Sequence, residues 1–235
     1  MHATKHEDGL MSAELKSLLD SSGRDIEIEK GTYIFQEGKP ASNIYIVSSG
    51  LVQISKLSDG GKELTLRICK AGSVFGELVM FTNNAAYLLN AKVLKSGSVK
   101  TISKSILEEQ FKENGELAVE FIKWSSHQMR LMQYKIRDLV LFGKNGALCS
   151  TLIRLSNTYG IDQQDGILID LSLTDQELAA FAAATRESAN RLMIKLRNKD
   201  IVTIDDSGRI LIKDIDYLKR QVGCESCPID ICTID

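Results

Sequence analysis

The sequence predicts an α+β protein with a β-rich N-terminal half, one long helix, a C-terminal helix–turn–helix followed by a hairpin, and a cysteine-bearing tail. Three observations predict it. Between Ile26 and Thr101, short β-branched and aromatic runs alternate with glycines. From Glu116 to Phe142, apolar residues recur at heptad spacing. From Thr174 to Ile212, two helical patterns precede two extended runs around a turn.

The bulk properties fit. A chain of 235 residues suits one or two domains, and 43% apolar with 26% charged residues is ordinary globular composition. That excludes a disordered chain, a collagenous one and a coiled-coil rod. Met1–Asp8 has charges but no apolar core behind them, so no signal peptide is expected. The longest nearly apolar stretch, Leu178–Thr185, is far short of the ~20 residues of a membrane span. The expectation is a cytoplasmic protein without a membrane partner. A net charge of −2 argues against a general nucleic-acid coat but leaves room for one local basic face.

The elements follow in order. Leu10 to Ser22 carries apolar residues at helical spacing, a short packing helix. Thr32–Phe35, Ile44–Val47, Leu51–Ile54 and Leu64–Ile68 are strand-like, with Gly31, Gly38, Gly50, Gly60, Gly61, Gly72, Gly76 and Gly97 between or beside them. Such spacing reads as a roll, sandwich or barrel. Ser103 is expected to cap a helix through Phe111, which Asn114–Gly115 ends.

The next helix, Glu116 to Phe142, places Ile122, Met129 and Ile136 at one heptad position and Ser125, Met132 and Leu139 at the other. About 26 residues make a helix of ~39 Å, longer than a small β-domain needs for packing. We read one face as packing on its own domain and the seam as facing a second copy, which predicts a homodimer. Gly143–Gly146 forms a hinge-like break, and helix resumes from Ala147 to Ser156.

Ile167–Leu171 is extended, and Thr174 with Glu177 has the form of a capping box opening a helix over Gln176–Ala183. A tight link at Ala184–Thr185 leads to a second helix, Arg186–Asn198. Ile201–Ile204 and Arg209–Ile212 then flank Asp205–Gly208 as a hairpin. Helix, turn, helix, hairpin is the order of a winged helix-turn-helix. From 186 to 199 there are five basic residues and one acidic. Arg can fork onto guanine, Glu can accept from cytosine, and Asn can pair with adenine, from the first turns of the second helix. The candidate DNA-binding residues are Arg186, Glu187, Asn190, Arg191 and Lys195.

Here the residues resemble a family. Thr174–Val202, with Arg186, Glu187 and Arg191, resembles the DNA-binding end of the Crp/Fnr regulators. Gly31–Gly38 and Gly72–Leu78 (Gly-Ser-Val-Phe-Gly-Glu-Leu) resemble that family's cyclic-nucleotide-type β-roll, and the long helix sits where the family dimerises. The resemblance implies a dimeric transcription regulator, not an enzyme, acting on double-stranded DNA at a palindromic promoter site with RNA polymerase as partner. No Ser/His/Asp order, P-loop or metal-hydrolase motif points to catalysis. The division it implies is a roll with flanking helices over 1–115, a dimerisation helix over 116–142, a winged helix-turn-helix over 143–213 and a C-terminal helix with a tail over 214–235.

Members that bind cyclic nucleotides carry an arginine after Phe-Gly-Glu-Leu, where this chain has Asn84; no basic residue occurs between Lys70 and Lys92. A buried phosphate needs a charge-assisted partner, so no cyclic nucleotide is expected. Glu77 is read as a structural turn residue.

Of five cysteines, Cys69 and Cys149 stand alone and read as core residues, while Cys224, Cys227 and Cys232 form a C-x2-C-x4-C set. Thiolates so spaced suit an iron–sulfur cluster or zinc; a thiol–disulfide switch or an incidental cluster are the other readings. Glu225, Asp230 and Asp235 add nearby oxygen ligands. Enterobacterial-type Fnr carries its cysteines at the N-terminus, but the first cysteine here is Cys69. The C-terminal set instead resembles the Fnr of bacilli, which implies a [4Fe-4S] cluster on Cys224, Cys227, Cys232 and Asp138, oxygen sensing, and activation of anaerobic genes. On its residues alone, Asp138 is equally a solvated helix residue or a partner of Arg137 or Lys135. Cys149 is the alternative fourth ligand, and His127 is read as a surface or seam residue. A family member without a cluster, sensing a small effector in the roll or using its cysteines as a zinc or thiol switch, is the alternative function.

Overall fold

The computed structural model describes residues 11–83, 85–224 and 227–235. The chain divides into two compact units. One contains Leu66–Gln128, the segment ending at Ser58, and Asp235; the other contains Asp59–Thr65 and Met129–Ile234.

In the first unit, α1 (Ala13–Ser22) starts at Ser12, whose hydroxyl accepts the Leu15 N–H at 3.2 Å. Six strands follow: β1 (Arg24–Ile28), β2 (Tyr33–Phe35), β3 (Asn43–Leu57), β4 (Glu63–Cys69), β5 (Val74–Phe75) and β6 (Asn90–Ser103). They form one sheet with the path β1-β6-β3-β4; β2 also pairs with β6, and β5 with β3. The long antiparallel pairing of β3 with β6, from Asn43↔Ser103 to Ser55↔Asn90, shifts register around Ser49–Val52. Gly50 makes that bend. Its φ is +88°, and a Cβ there would stand 2.5 Å from the Lys95 carbonyl oxygen. Ile44, Val47, Val52, Val99 and Ile102 fill the core with Leu15, Leu19 and Leu107. The observed sheet is the β-roll anticipated from the glycine-punctuated runs.

Helix α2 (Lys104–Glu113) begins after Ser103, but Ser103 makes no side-chain cap; its hydroxyl pairs with the Ser105 hydroxyl at 2.8 Å. Helical segment α3 (Gly115–Tyr159) consists of two helices that meet at a kink at Gly143, where the first was expected to end. The anticipated break over 143–146 contracts to Gly143, at φ 61° and ψ −168°, a conformation confined almost wholly to glycine; helical structure continues on both sides. Phe121, Trp124 and Leu131 are buried, as a packing flank requires. Ile122, Met129 and Ile136 are 59%, 65% and 62% exposed. His127 is buried rather than on the surface or the seam.

The second unit continues with β7 (Gly160–Gln163), β8 (Gly166–Ser172), α4 (Asp175–Ala180), α5 (Arg186–Asn198), β9 (Val202–Ile204), β10 (Arg209–Ile212) and α6 (Ile215–Gln221). Its sheet order is β7-β8-β10-β9. The expected hairpin is β9–β10, paired from Ile210↔Ile204 to Ile212↔Val202. Strand β7 has no signature in the sequence pattern. Leu148, Leu152, Leu155, Ile169, Leu178, Leu192, Met193, Leu196 and Val202 build this core, with Leu218 and Ile234. Among the described residues, no helix is long and apolar enough to cross a membrane.

Candidate DNA interface and cysteine site

Local chemistry fixes the helix pair. The Thr174 hydroxyl accepts the Glu177 N–H at 3.2 Å, and the Thr174 N–H donates to the Glu177 carboxylate at 2.8 Å, the anticipated capping box. Helix α4 is shorter than expected because Phe181–Ala183 already turns; Ala183 has φ +43°, and the Ala184 N–H returns to the Ala179 carbonyl at 3.0 Å. Thr185 then caps α5 by accepting the Ser188 N–H at 3.3 Å. Ala189, Leu192, Met193 and Leu196 bury the inner face of α5, which leaves Arg186, Glu187, Asn190, Arg191 and Lys195 exposed on the outer one.

These five side chains are not equally free. The Asn190 amide donates to the Asp175 carboxylate at 2.7 Å, which ties it to α4. The Glu187 carboxyl is held below its ordinary range by its own backbone N–H and then by the Thr185 hydroxyl, with Arg186 and Arg191 nearby. It stays an anion and a pure acceptor. Arg191 makes one long contact, Nη2 to the Ser188 hydroxyl at 3.5 Å. The wing is ordered by Asp205, whose carboxylate accepts from the backbone of Ser207 and Arg209 and from Arg209 Nε at 2.9 Å. A cleft of about 540 Å³ lies between Phe142–Asn145 and the Ser188, Arg191, Leu192 and Lys195 side of α5. It adds exposed Lys144 to the basic face, a residue that no spacing in the sequence singles out.

The tail is seated on the C-terminal part of α3. Arg154 Nη1 donates to the Ile231 carbonyl at 3.1 Å, and the Asn157 amide donates to the Cys232 carbonyl at 2.7 Å. The Ile234 N–H donates to the Thr158 hydroxyl at 3.0 Å, and Lys135 Nζ to the Ile234 carbonyl at 3.2 Å. Ile231 and Ile234 are buried beneath. Cys224, Cys227 and Cys232 are free thiols, all half-buried. Burial pushes the Cys232 thiol up to about 11, opposed by Arg154 and reinforced by Cys227, also its hydrogen-bond partner, and by Cys224. The three sulfurs therefore share one electrostatic neighbourhood. Cys69 and Cys149 are core residues, as anticipated.

Asp138 is neither solvated nor paired with Arg137 alone. It is 2% exposed. Arg137 Nη2 donates to Oδ1 at 2.8 Å, Arg154 Nη2 to Oδ2 at 3.0 Å, and the Ser150 hydroxyl also donates to Oδ2. Of the other oxygen ligands near the tail cysteines, Asp230 is exposed and Asp235 is engaged by Arg67 Nη2 at 3.2 Å and by the Ser73 hydroxyl. Glu225 and Asn84 lie outside the described residues. Glu77 pairs with Arg67 at 3.5 Å in a turn of the roll, in keeping with a structural part. Among the described residues, no three His, Cys, Asp or Glu side chains are already arranged as a metal site. The donors nevertheless fit a thiolate-bound cluster in kind: three sulfurs in one neighbourhood, beside an arginine that holds a buried carboxylate.

Residues 25–114 match the cyclic nucleotide-binding domain, and residues 146–221 the Crp-like helix-turn-helix domain. The chain is 50% identical over 226 residues to the anaerobic regulatory protein of Bacillus subtilis (strain 168), covering 96% of this chain and 95% of that one. It is 31% identical over 178 residues to the global nitrogen regulator of a Nostoc species, covering 75% and 79%. A c-di-GMP-responsive global regulator of Xanthomonas campestris has the same fold, with a TM-score of 0.74 at 20% identity over 86% of this chain and all of the other. These relatives are regulators rather than enzymes. With one of them matched at every second residue along nearly its whole length, the chain belongs to the Crp/Fnr family of transcription regulators.

Proposed function

We propose that this regulator is a homodimer that binds palindromic promoter DNA and controls anaerobic gene expression in response to oxygen, through a [4Fe-4S] cluster on Cys224, Cys227 and Cys232 with Asp138 as fourth ligand. The observation that carries the reading is that the tail bearing three free thiols is fastened by Arg154, whose guanidinium also holds the buried Asp138 carboxylate. Its likeness to a protein named as an anaerobic regulator supports the same direction. When bound, such a cluster supplies an oxygen-reactive group whose carboxylate-held corner is the weak one, because carboxylate suits iron in a sulfide cluster less well than thiolate.

The chain's own residues do the rest. Residues 116–142 set the dimer axis through the Ile122, Met129 and Ile136 seam. The winged helix of 143–213 turns Arg186, Glu187, Arg191 and Lys195 toward the major groove, with two recognition helices spaced to one DNA turn of ~34–36 Å. RNA polymerase is the partner at the promoter. The roll of 1–115 takes no cyclic nucleotide, since the stretch from Lys70 to Lys92 offers no cation to its phosphate.

The test is iron and acid-labile sulfide in anaerobically purified protein. About four of each per chain are expected, lost on Cys224→Ala, Cys227→Ala or Cys232→Ala together with specific DNA binding. Zinc without sulfide, or full anaerobic DNA binding by a cluster-free chain, rejects the proposal in favour of a zinc or thiol switch or an effector in the roll.

A further inference from the structure

We infer that Arg154 is the positioning residue of the cysteine site, storing the Asp138 carboxylate and fastening the tail to α3 when no cluster is bound. All three guanidinium nitrogens are used. Nη2 donates to Asp138 Oδ2 at 3.0 Å, Nε to the Ser150 hydroxyl at 3.2 Å, and Nη1 to the Ile231 carbonyl at 3.1 Å. The side chain is 4% exposed, so none of these bonds has bulk water as a competitor. Ile231 directly precedes Cys232, and the Cys232 carbonyl is taken by Asn157. The fork thus joins the two sides of the site: the carboxylate on α3, and the backbone that carries the third cysteine.

Only arginine has this reach. A planar guanidinium can face a carboxylate and a backbone carbonyl at once, whereas a lysine ammonium is a point charge on a flexible stem. Asp138 Oδ2 is the oxygen that both Arg154 and Ser150 engage, while Oδ1 faces Arg137. If a cluster is held there, Asp138 would be its oxygen ligand, and Arg154 and Ser150 would give up the hydrogen bonds they make to Oδ2 in its absence. Losing the cluster therefore need not free the tail, which Arg154, Asn157, Thr158 and Lys135 keep in place. This last exchange rests on the proposed cluster; the fastening does not.

The experiment uses the full chain, stripped of metal anaerobically with a chelator and treated with iodoacetamide, each cysteine being followed by peptide mass. Arg154→Gln and Arg154→Lys are compared with the parent chain. Losing one charge-assisted hydrogen bond should raise local opening, and the alkylation rate of Cys232, by about 10- to 100-fold. Cys149 stays slow throughout as the mark of a folded core. Removing a cation from beside a thiol by itself slows alkylation, so acceleration reports opening rather than electrostatics. Arg154→Lys keeps the charge and decides the case if Arg154→Gln does not fold. Unchanged Cys232 rates in a folded variant overturn the inference. So does equal acceleration of Cys149 and Cys232 in Arg154→Lys, which would make Arg154 a general core element. Iron and sulfide uptake by the parent chain is measured alongside: its failure rejects the cluster and leaves the alkylation result to judge the fastening.

Discussion

Asp138 and Arg154 form an ion pair shut away from solvent, 3.0 Å apart with side chains 3% and 4% exposed. Removing one member of such a pair strands the other's charge in a poor solvent, at a cost of about 3–5 kcal/mol. Asp138→Ala should therefore lower the stability of the metal-free chain by about 3 kcal/mol in urea, because Arg137 can turn outward to water and Arg154 cannot. Asp138→Asn, whose single amide oxygen can still accept from Arg154 and Ser150 but whose NH2 cannot accept from Arg137, should cost less. Equal stability of Asp138→Ala and the parent chain would mean that the pair contributes nothing without metal. Cluster loss in Asp138→Ala alone thus does not assign a ligand; the stability measurement has to accompany it.

The exposed row of Ile122, Met129 and Ile136 predicts a second copy of α3 against it. Ile136→Asp places two carboxylates in one seam and should weaken dimerisation by about 100-fold or more, since a buried unpaired charge costs several kcal/mol. Sedimentation across a concentration series reads this directly. An unchanged dimer moves the interface off this helix.

The wing and the helix pair are legible in the sequence because each is written in local spacing: a capping box four residues long and an apolar face at helical period. Strand β7 is not, since all four of its residues are exposed and no alternation marks them. Ser103 has the look of a cap and pairs with Ser105 instead. His127 has a polar side chain yet is buried, an outcome decided by packing rather than by its neighbours in sequence. Arg154 is the instructive miss. It meets Asp138 sixteen residues away, on the far side of the turn at Gly143, and a further partner, Ile231, lies seventy-seven residues away. Long-range polar pairs of this kind leave no periodic trace.

Cys149 offers a pH test away from the tail. Burial pushes its thiol up to about 11, with Lys195 opposing. A folded pKa above the unfolded one favours the neutral form, so the stability it contributes is whole below about pH 9 and is lost as pH rises through about 11. The parent chain should lose on the order of 2–3 kcal/mol more than Cys149→Ala between pH 8.5 and 11.5 in denaturant titrations. At pH 8, iodoacetamide should leave Cys149 untouched until the chain unfolds. Parallel pH curves for the two proteins would contradict the buried, neutral thiol.

On the outer face of α5, the bonds already made rank the candidates for base reading. Arg191's hydrogen bond among the described residues is a long 3.5 Å contact with Ser188, a weak tether to give up for guanine, whereas Asn190 must first leave Asp175 at 2.7 Å. Arg191→Ala should therefore relax preference at one position of each half-site, at about 1–3 kcal/mol for the matched base pair. Glu187→Ala should do the same at a neighbouring cytosine, because its carboxylate stays ionised and can accept only. Asn190→Ala should change base preference least. Lys195, beside the cleft that also holds Lys144, has the place of a phosphate-neutralising cation. Lys195→Ala should weaken all sites alike and flatten the salt dependence by about 0.9 in log–log slope for each phosphate no longer neutralised. Selection from randomised half-sites at fixed salt, with binding repeated across a salt series, separates the two behaviours. Unaltered base preference in Arg191→Ala, or an altered preference without a slope change in Lys195→Ala, would require α5 to sit in the groove in a different rotation about its axis.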